Sequence, residues 1–600
     1  MLTQQQQRAA ACPSQRVLVL AGPGTGKTTV LSHRIAYLIK EQKVRPEQIC
    51  ALTFTRNAAL EMKARIEFLA PESRGKAAVR TFHSLAYRFL KQLTPNLRIV
   101  SPLEQVRIFR EICPEEANFQ RLKREISRAK NKMLSPEELP PEVRDAVMQY
   151  EQRKEGCDYD DLLILLLEVL KKDGSELKER FTHVLVDEFQ DLSPLQYEIV
   201  KELSKGKSLF AVGDPLQCIY EWRASTPEVI SRLESDFEPQ VIYLTENFRS
   251  KQKIIEAANK VMKAIDPKRP PLQGVLSEKG TLLIKQLSSE EEEMQQLIES
   301  VSKEKDLSEC AVLVRTNDQT AEIERKAASK GLSISKRYSI FGKKEAQFVL
   351  ELLKLILDPE LNHKAILKIA PLIDPYLGRS FRSELKENAE KHNLTLLQAL
   401  KGSFSKPYLA VGAKKILEAV EHFHSLSRRL SPSELLLRLR KELNLEGFLG
   451  KLTDEEDDLL YEPAVLLDKL TAVSESFKSL EEFLAWTESS EKKTLNVMTI
   501  HRAKGLEFKK VYLPFVHTGS FPLCESEEEW RLFFVAVTRA RDSLILTSTA
   551  SRKSPFLSAV LEPKPEEPKQ KGMLGKLQIL LSSFRLFKPK EVRHERNVSA

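Results

Sequence analysis

Arg16-Val-Leu-Val-Leu20 runs directly into AGPGTGKTTVLSHRIAYLI (Ala21–Ile39). A short apolar, β-rich run leads into a glycine-rich turn, after which apolar residues return at helical spacing (Val30, Ile35, Leu38). Strand–loop–helix is the setting that a phosphate-binding loop requires, because glycines let backbone N–H groups close on phosphate oxygens at a helix N-terminus. Ala21, Gly22, Pro23, Gly24, Thr25, Gly26, Lys27, Thr28 and Thr29 form the candidate cradle, with Ala21 standing where the strict pattern has glycine. Lys27 is expected to reach the β- and γ-phosphates, and Thr28 to offer its hydroxyl to Mg²⁺.

Such a site also needs a carboxylate at the tip of a neighbouring strand, and Val184-Leu-Val-Asp187-Glu188-Phe-Gln190-Asp191 supplies it. Asp187 is expected to hold Mg²⁺ together with Thr28, and Glu188 to orient and deprotonate an attacking water. Ile49–Phe54, His183–Asp187, Leu209–Gly213, Val241–Leu244, Ala311–Val314, Leu495–Thr499 and Leu544–Thr547 also read as strands. Most are continuous apolar runs separated by helical segments, which suits parallel sheets buried on both faces. Residues 85–180 and 358–488 break this rhythm with Leu/Glu/Lys-rich helical periodicity. The expected fold class is α/β, two cores with parallel sheets that each carry a helical insertion.

Composition sets wider bounds. The 600 residues hold 94 Lys+Arg against 85 Asp+Glu, a formal charge of +9, with 42% hydrophobic and 30% charged residues. That profile excludes collagen-like, disulfide-scaffold and wholly disordered chains. The most apolar run, Leu162–Leu170, is broken by Glu168 and is shorter than the roughly 20 residues of a membrane span. MLTQQQQRAAACPSQR has no apolar segment after a charged start, so a cytoplasmic chain that does not engage membranes is expected. The seven cysteines are scattered without a C-x-x-C pair and read as reduced thiols. His422 and His424 read as a solvated helix face rather than metal ligands. Arg121–Lys132 holds six basic residues and one acidic, suiting a phosphate-facing helix or a solvated face. Residues 453–488 hold two basic and eleven acidic residues, a stretch that should repel DNA. EPKPEEPKQK (562–571) reads as a disordered linker before a basic, apolar tail.

Taken in order, the motifs resemble those of the UvrD/Rep/PcrA branch of superfamily 1 DNA helicases, from Leu2 to about Thr547. Leu2–Gln6, Thr53–Met62, Thr81–Leu90, Asp158–Leu163, Val212–Ser225, Leu244–Ser250, Met498–Phe508 and Glu527–Ala540 carry the resemblance beside the two phosphate-site motifs. It implies that Gln6 reads the adenine, Phe248 and Glu507 bind nucleotide, Gln217 senses the γ-phosphate, and Arg249 and Arg539 act as arginine fingers. An arginine of that kind is worth about 10³–10⁵ in rate. It further implies that Phe54, Tyr220 and Trp222 stack on bases, while Thr53, Thr55, His83, Arg223, Arg315 and His501 make polar and phosphate contacts. Stacking suits a motor indifferent to sequence, because every base offers a π-face worth about 1–3 kcal/mol.

The same resemblance divides the chain into two RecA-like P-loop NTPase domains. The first comprises residues 1–84 and 181–247 with the helical insertion 85–180. The second comprises 248–357 and 489–561 with the insertion 358–488, and 562–600 form the tail. The implied activity is an ATP- and Mg²⁺-dependent 3′→5′ DNA helicase and single-strand translocase of repair or replication. Its partners would be single-stranded DNA, single/double-strand junctions and repair or replication proteins, and it would act as a monomer or a DNA-dependent dimer. Departures from the family occur at Thr29 for arginine, Asn57 for lysine, Phe248 for tyrosine and Trp530 for arginine. Ala370–Ser380 also lacks a Gly-Ile-Gly turn associated with duplex contact. Two other expectations stand beside the first: a translocase that strips proteins without efficient unwinding, and an ATP-gated DNA-binding scaffold with little turnover.

Overall fold

The computed structural model describes residues 2–100, 102–113, 116–172, 176–335, 340–449, 463–488 and 494–561. Six strands form the first sheet: β1 (Arg16–Ala21), β2 (Ile49–Thr53), β3 (Ala78–Thr81), β4 (His183–Val186), β5 (Ser208–Gly213) and β6 (Gln240–Leu244). They run parallel in the order β3-β2-β4-β5-β1-β6. A minimal pair follows, β7 (Glu246–Asn247) and β8 (Gln273–Gly274). The second sheet is built from β9 (Thr281–Leu287), β10 (Cys310–Val314), β11 (Asn496–Thr499), β12 (Phe508–Leu513) and β13 (Ala540–Thr549). Its strands are also parallel, in the order β11-β10-β12-β13-β9.

The two-residue alternation of strand side chains sorts the first core into two layers. Leu18, Leu20, Leu52, Val184, Val186 and Ala211 pack on helices including Phe82–Leu93 and Tyr159–Lys171. Val17, Val19, Ala51, Leu185, Phe210 and Val212 pack on the opposite helices, α1 (Gln4–Ala10), α2 (Lys27–Lys40) and α3 (Arg56–Leu69). The second sheet is sandwiched in the same way. Leu313, Val511, Leu544 and Leu546 face the helices Gln252–Ile265 and Glu527–Val537, while Val312, Val497 and Tyr512 face Glu290–Ser302 and Asn317–Ser329. Burial on both faces is why these strands read as unbroken apolar runs.

Besides the minimal pair β7 and β8, three strands of the two large sheets lie outside the runs that the sequence marks as strands. β3 has four half-buried residues, and β9 is an edge strand with alternating exposure. β12 carries Lys509 and Lys510 in mid-strand, where they pair with Glu309 and Glu304 rather than breaking the ladder. The second helical region starts before residue 358. Helix Lys344–Leu357 buries Phe348, Leu352, Leu353 and Ile356 in one core with Phe381, Leu385, Ile416, Leu439 and Phe483. The basic run Arg121–Lys132 is not simply a phosphate-facing or solvated surface. Its Lys130 turns inward to Asp158 at 2.6 Å and Asp161 at 2.8 Å. Buried carboxylates need a cation in contact, and Lys130 shares that place with Lys154. The acidic run 453–458 and the tail 562–600 lie outside the described residues. No helix among the described residues is long and apolar enough to cross a membrane.

Candidate functional site

In open parallel sheets, ligands gather where strands end. The cradle follows β1, and Gly24 and Gly26 adopt φ of +71° and +84°. A side chain would be strained at either, and crowded. A Cβ would lie 2.7 Å from Asn247 Nδ2 at Gly24 and 2.8 Å from Gln6 Nε2 at Gly26. Gln6, in the capping box of α1, donates from Nε2 to Thr25 O at 3.0 Å. Beyond β6, Asn247 Nδ2 donates to Pro23 O at 2.7 Å and Phe248 N to Gly24 O at 3.0 Å, leaving the Phe248 ring exposed. Ala21 is fully buried at the end of β1. Thr25 Oγ1 donates to Gly22 O at 2.7 Å and braces the turn.

Thr28 Oγ1 donates to Asp187 Oδ2 at 3.3 Å, bringing together the two residues expected to hold metal. A hydroxyl and a carboxylate are hard oxygen donors that fit Mg²⁺. Burial, reinforced by neighbouring Glu188, lifts the Asp187 carboxyl to about 7. Burial also opposes ionisation of Glu188, but Lys27, Lys504, a hydrogen bond from Gln190 and Arg539 outweigh it and hold its pKa below the usual value. Asp187 is placed opposite Thr28 as a ligand, and Glu188, held ionised, is able to accept a proton. Glu188 sits at φ +47°, a left-handed conformation rare outside glycine and concentrated at functional sites. Gln190 Nε2 fixes its carboxylate by donating to Oε2 at 2.6 Å.

The second core closes the cleft with cations. Arg249 Nε donates to Glu507 Oε2 at 2.7 Å and Nη1 to Thr538 O at 3.1 Å, joining two of the anticipated residues. Arg539 is fully buried and donates to Val535 O, Leu506 O and Thr538 Oγ1. Burial and the nearby Arg249 charge push its pKa well below the ordinary arginine value. Gln217 is buried, with Nε2 donating to Asp214 Oδ2 at 2.7 Å.

The loop that bears Gln217 also bears the aromatic residues. Tyr220 stacks on Phe54 with ring centroids 5.8 Å apart and planes 7° from parallel, and meets Trp222 edge-on at 6.4 Å. Tyr220 lies 6.5 Å from His501 between ring centroids. Thr53 ends β2, and Thr55 caps α3 by accepting from Ala58 N. His83 is in edge contact with Tyr159, their ring centroids 6.1 Å apart. Arg315 Nε donates to Glu529 Oε1 at 2.7 Å, so part of its charge is already met within the protein. The side chain of Arg223 lies outside the described residues.

His501 is held neutral. Burial, then Arg315 and Lys504, lowers its pKa from 6.5 to about 4. The unfolded chain therefore binds more protons between these values, and this contribution to stability is lost as pH falls through the window. From pH 7 to 4.5, the urea midpoint of His501→Asn should fall less than that of the wild type. Parallel curves would refute the assignment.

The UvrD/REP helicase N-terminal domain matches residues 2–238, and the UvrD-like helicase C-terminal domain matches 242–409 and 413–551. The chain belongs to the UvrD/Rep helicase family. It is 28% identical over 621 residues to the protein named ATP-dependent DNA helicase PcrA of Staphylococcus epidermidis, covering 92% of this chain and 84% of the relative. The corresponding PcrA of Bacillus subtilis is 28% identical over 631 residues, covering 91% and 82%. ATP-dependent DNA helicase Rep of Buchnera aphidicola is 28% identical over 610 residues, covering 90% and 94%.

Several residues of this UvrD/Rep chain were not singled out from sequence. Lys504, midway between His501 and Glu507 in their shared motif, donates to Asp191 Oδ2 at 2.5 Å and Gln217 O at 2.7 Å. Its ammonium lies 4.7 Å from the Tyr220 ring centroid. Burial works against its charge, but Asp191, Tyr220 and Glu188 hold its pKa above the ordinary lysine value. Arg531 grips the same loop through Cys218 O at 2.9 Å and through Glu221. Arg65 Nη1 donates to Thr29 Oγ1 at 2.9 Å, so a guanidinium from α3 stands beside the residue that departs from the family pattern. Tyr159 extends the aromatic surface past His83. Of the histidine pair, His422 lies on the exposed face beside Glu442, while half-buried His424 makes a 2.7 Å hydrogen bond from Nδ1 with Ile356 O. Among the described residues, one carboxylate trio has ligand-like spacing, Glu151, Asp158 and Asp161. Lys130 and Lys154 already pair with it.

Proposed function

We propose that this chain is an ATP- and Mg²⁺-dependent DNA helicase that translocates 3′→5′ along single-stranded DNA in repair or replication. One observation supports the coupling: the segment Asp214–Tyr220 carries both Gln217, which we assign to the γ-phosphate, and Tyr220, which we assign to the aromatic track, and Lys504 bonds Gln217 O and lies over the Tyr220 ring. The cradle, with Lys27, binds the ATP phosphates, and Gln6 and Arg65 lie at its adenine side. Thr28 and Asp187 would hold Mg²⁺, which when bound neutralises phosphate charge. Glu188 accepts the proton of the attacking water. Arg249 and Arg539 stabilise charge on the γ-phosphoryl oxygens, with Arg539 exchanging its present carbonyl partners for phosphate. Phe54, Tyr220, Trp222 and Tyr159 stack on bases, and Thr53, Thr55, His83, Arg223, Arg315 and His501 supply polar contacts.

We assign these tasks to two RecA-like domains, residues 1–84 with 181–247 and residues 248–357 with 489–561. The insertions lie within 85–180 and about 358–488, except that the helices Phe82–Leu93 and Tyr159–Lys171 belong to the first core and the helix Lys344–Leu357 packs with the second insertion. The polarity and biological setting follow the family relationship rather than any distance in the site. The test is ATP hydrolysis and strand displacement on 3′-tailed, 5′-tailed and blunt duplexes, in DNA and in RNA. Displacement confined to 3′-tailed DNA is the expected result. Displacement from the 5′ tail alone would overturn the polarity, and absent DNA-stimulated ATP hydrolysis would overturn the motor.

A second reading, translocation without efficient unwinding, is favoured by the turn Asp374–Gly378. It buries Leu377 against Gly412, where an added Cβ would press on the Leu377 side chain. DNA-stimulated hydrolysis without displacement from any tailed duplex would select this reading.

A further inference from the structure

A buried ion pair outside the phosphate cradle joins the two cores. Arg269, just beyond the helix Gln252–Ile265, is nearly enclosed and donates from Nη2 to Asp214 Oδ1 at 3.2 Å. Its guanidinium also lies 5.3 Å from the ring centroid of Tyr243 on β6. Tyr243 lies on β6 and Asp214 directly follows β5, both strands of the first sheet, whereas the helix leading to Arg269 packs in the second core, as do Leu216 and Ile219 just beyond Asp214. Asp214 divides its carboxylate, with Oδ1 accepting from Arg269 and Oδ2 from Gln217 Nε2 at 2.7 Å. The Asp214 backbone N–H donates to Gln190 Oε1 at 2.9 Å, and Gln190 Nε2 donates to Glu188 Oε2 at 2.6 Å. Polar contacts therefore run without a break from Arg269 to Gln217 and to Glu188.

We propose that Arg269 is a positioning residue that communicates the placement of the second core to Gln217 and Glu188, an inference that rests on the ATPase reading of the cleft. A carboxylate as enclosed as Asp214 is costly to ionise unless a cation faces it, and among the described residues Arg269 is the cation in contact. Withdrawal of the second core removes that cation. The Gln217 amide then becomes the remaining side-chain donor to Asp214 and is drawn toward it. With Arg269 seated, the charge is shared, and the second N–H of Gln217 is available to a phosphate oxygen. Glu188 responds through Gln190, which Asp214 holds by its backbone.

The experiment compares the full chain with Arg269→Met, Arg269→Gln and Arg269→Lys at saturating single-stranded DNA. Each kcat is normalised to nucleotide-binding sites titrated with a fluorescent ATP analogue. Arg269→Met is expected to lower kcat per site about 10-fold while KM for ATP changes less than about 3-fold, and lysine is expected to recover more than half of the loss. Normalisation removes the effect of unfolded protein. If Arg269→Met does not fold, Arg269→Gln is judged by the same limits. A wild-type kcat per site in the readable variant overturns the proposal, as does a loss confined to KM. Failure of the wild type to hydrolyse ATP would instead overturn the proposed function, so the two failures are distinguishable.

Discussion

Glu188→Gln is expected to lower the kcat of DNA-stimulated ATP hydrolysis about 10²–10⁴-fold, the usual worth of a positioned general base. Glutamine has nearly the same size and keeps an oxygen for the Gln190 donor, so the turn at φ +47° should persist. What disappears is the negative charge that Lys27, Lys504 and Arg539 sustain against burial. ATP binding should remain within about 3-fold of wild type, because the change acts on the chemical step rather than on the cradle. Steady-state hydrolysis beside equilibrium binding of a fluorescent nucleotide separates the two. A wild-type kcat would exclude Glu188 as the proton acceptor. A matching loss in binding would make it a structural residue of the cradle.

The larger expected loss is for Arg249→Ala, about 10³-fold or more in kcat, as for other arginines that meet γ-phosphoryl charge. Its stability effect should be small. Its Nε contact is with Glu507, which is about half exposed, and exposed pairs of this sort contribute only about 0–1 kcal/mol. The main-chain anchor of residue 249 is also retained by alanine, since its backbone N donates to Asn247 Oδ1 at 2.9 Å. Catalysis and stability are therefore expected to diverge, which thermal melting beside kcat would reveal. Arg249→Lys should recover little, because an ammonium cannot reproduce the planar fork of a guanidinium. An unchanged kcat in Arg249→Ala would remove it from the reaction.

Much of the first core was legible because its signals are local. β1, the glycine turn and α2 are contiguous, and Val-Leu-Val-Asp at β4 places an acid at a strand tip within one short segment. The residues left unread act across distance. Asp214 meets Arg269 and Asp191 meets Lys504 only after two sheets have folded, and no spacing within either segment announces a partner. β12 was hidden by Lys509 and Lys510, whose charges suit an exposed segment until Glu309 and Glu304 are seen opposite them. β9 was hidden because an edge strand exposes half its residues and loses the continuous apolar signature of its buried neighbours. Lys130 was legible as a charge but not as an inward-facing one, since its carboxylate partners lie about thirty residues along the chain.

Lys504 lies 2.5 Å from Asp191 on one side and 4.7 Å from the centre of the Tyr220 ring on the other. A group shared in this way cannot transmit in one direction only. If occupancy of the aromatic track alters where that ammonium rests, nucleotide affinity changes by some factor, and nucleotide must alter the grip on the strand by the same factor. Equilibrium binding of each ligand in the presence of the other would then close a thermodynamic square, with one lysine as a corner common to both sides.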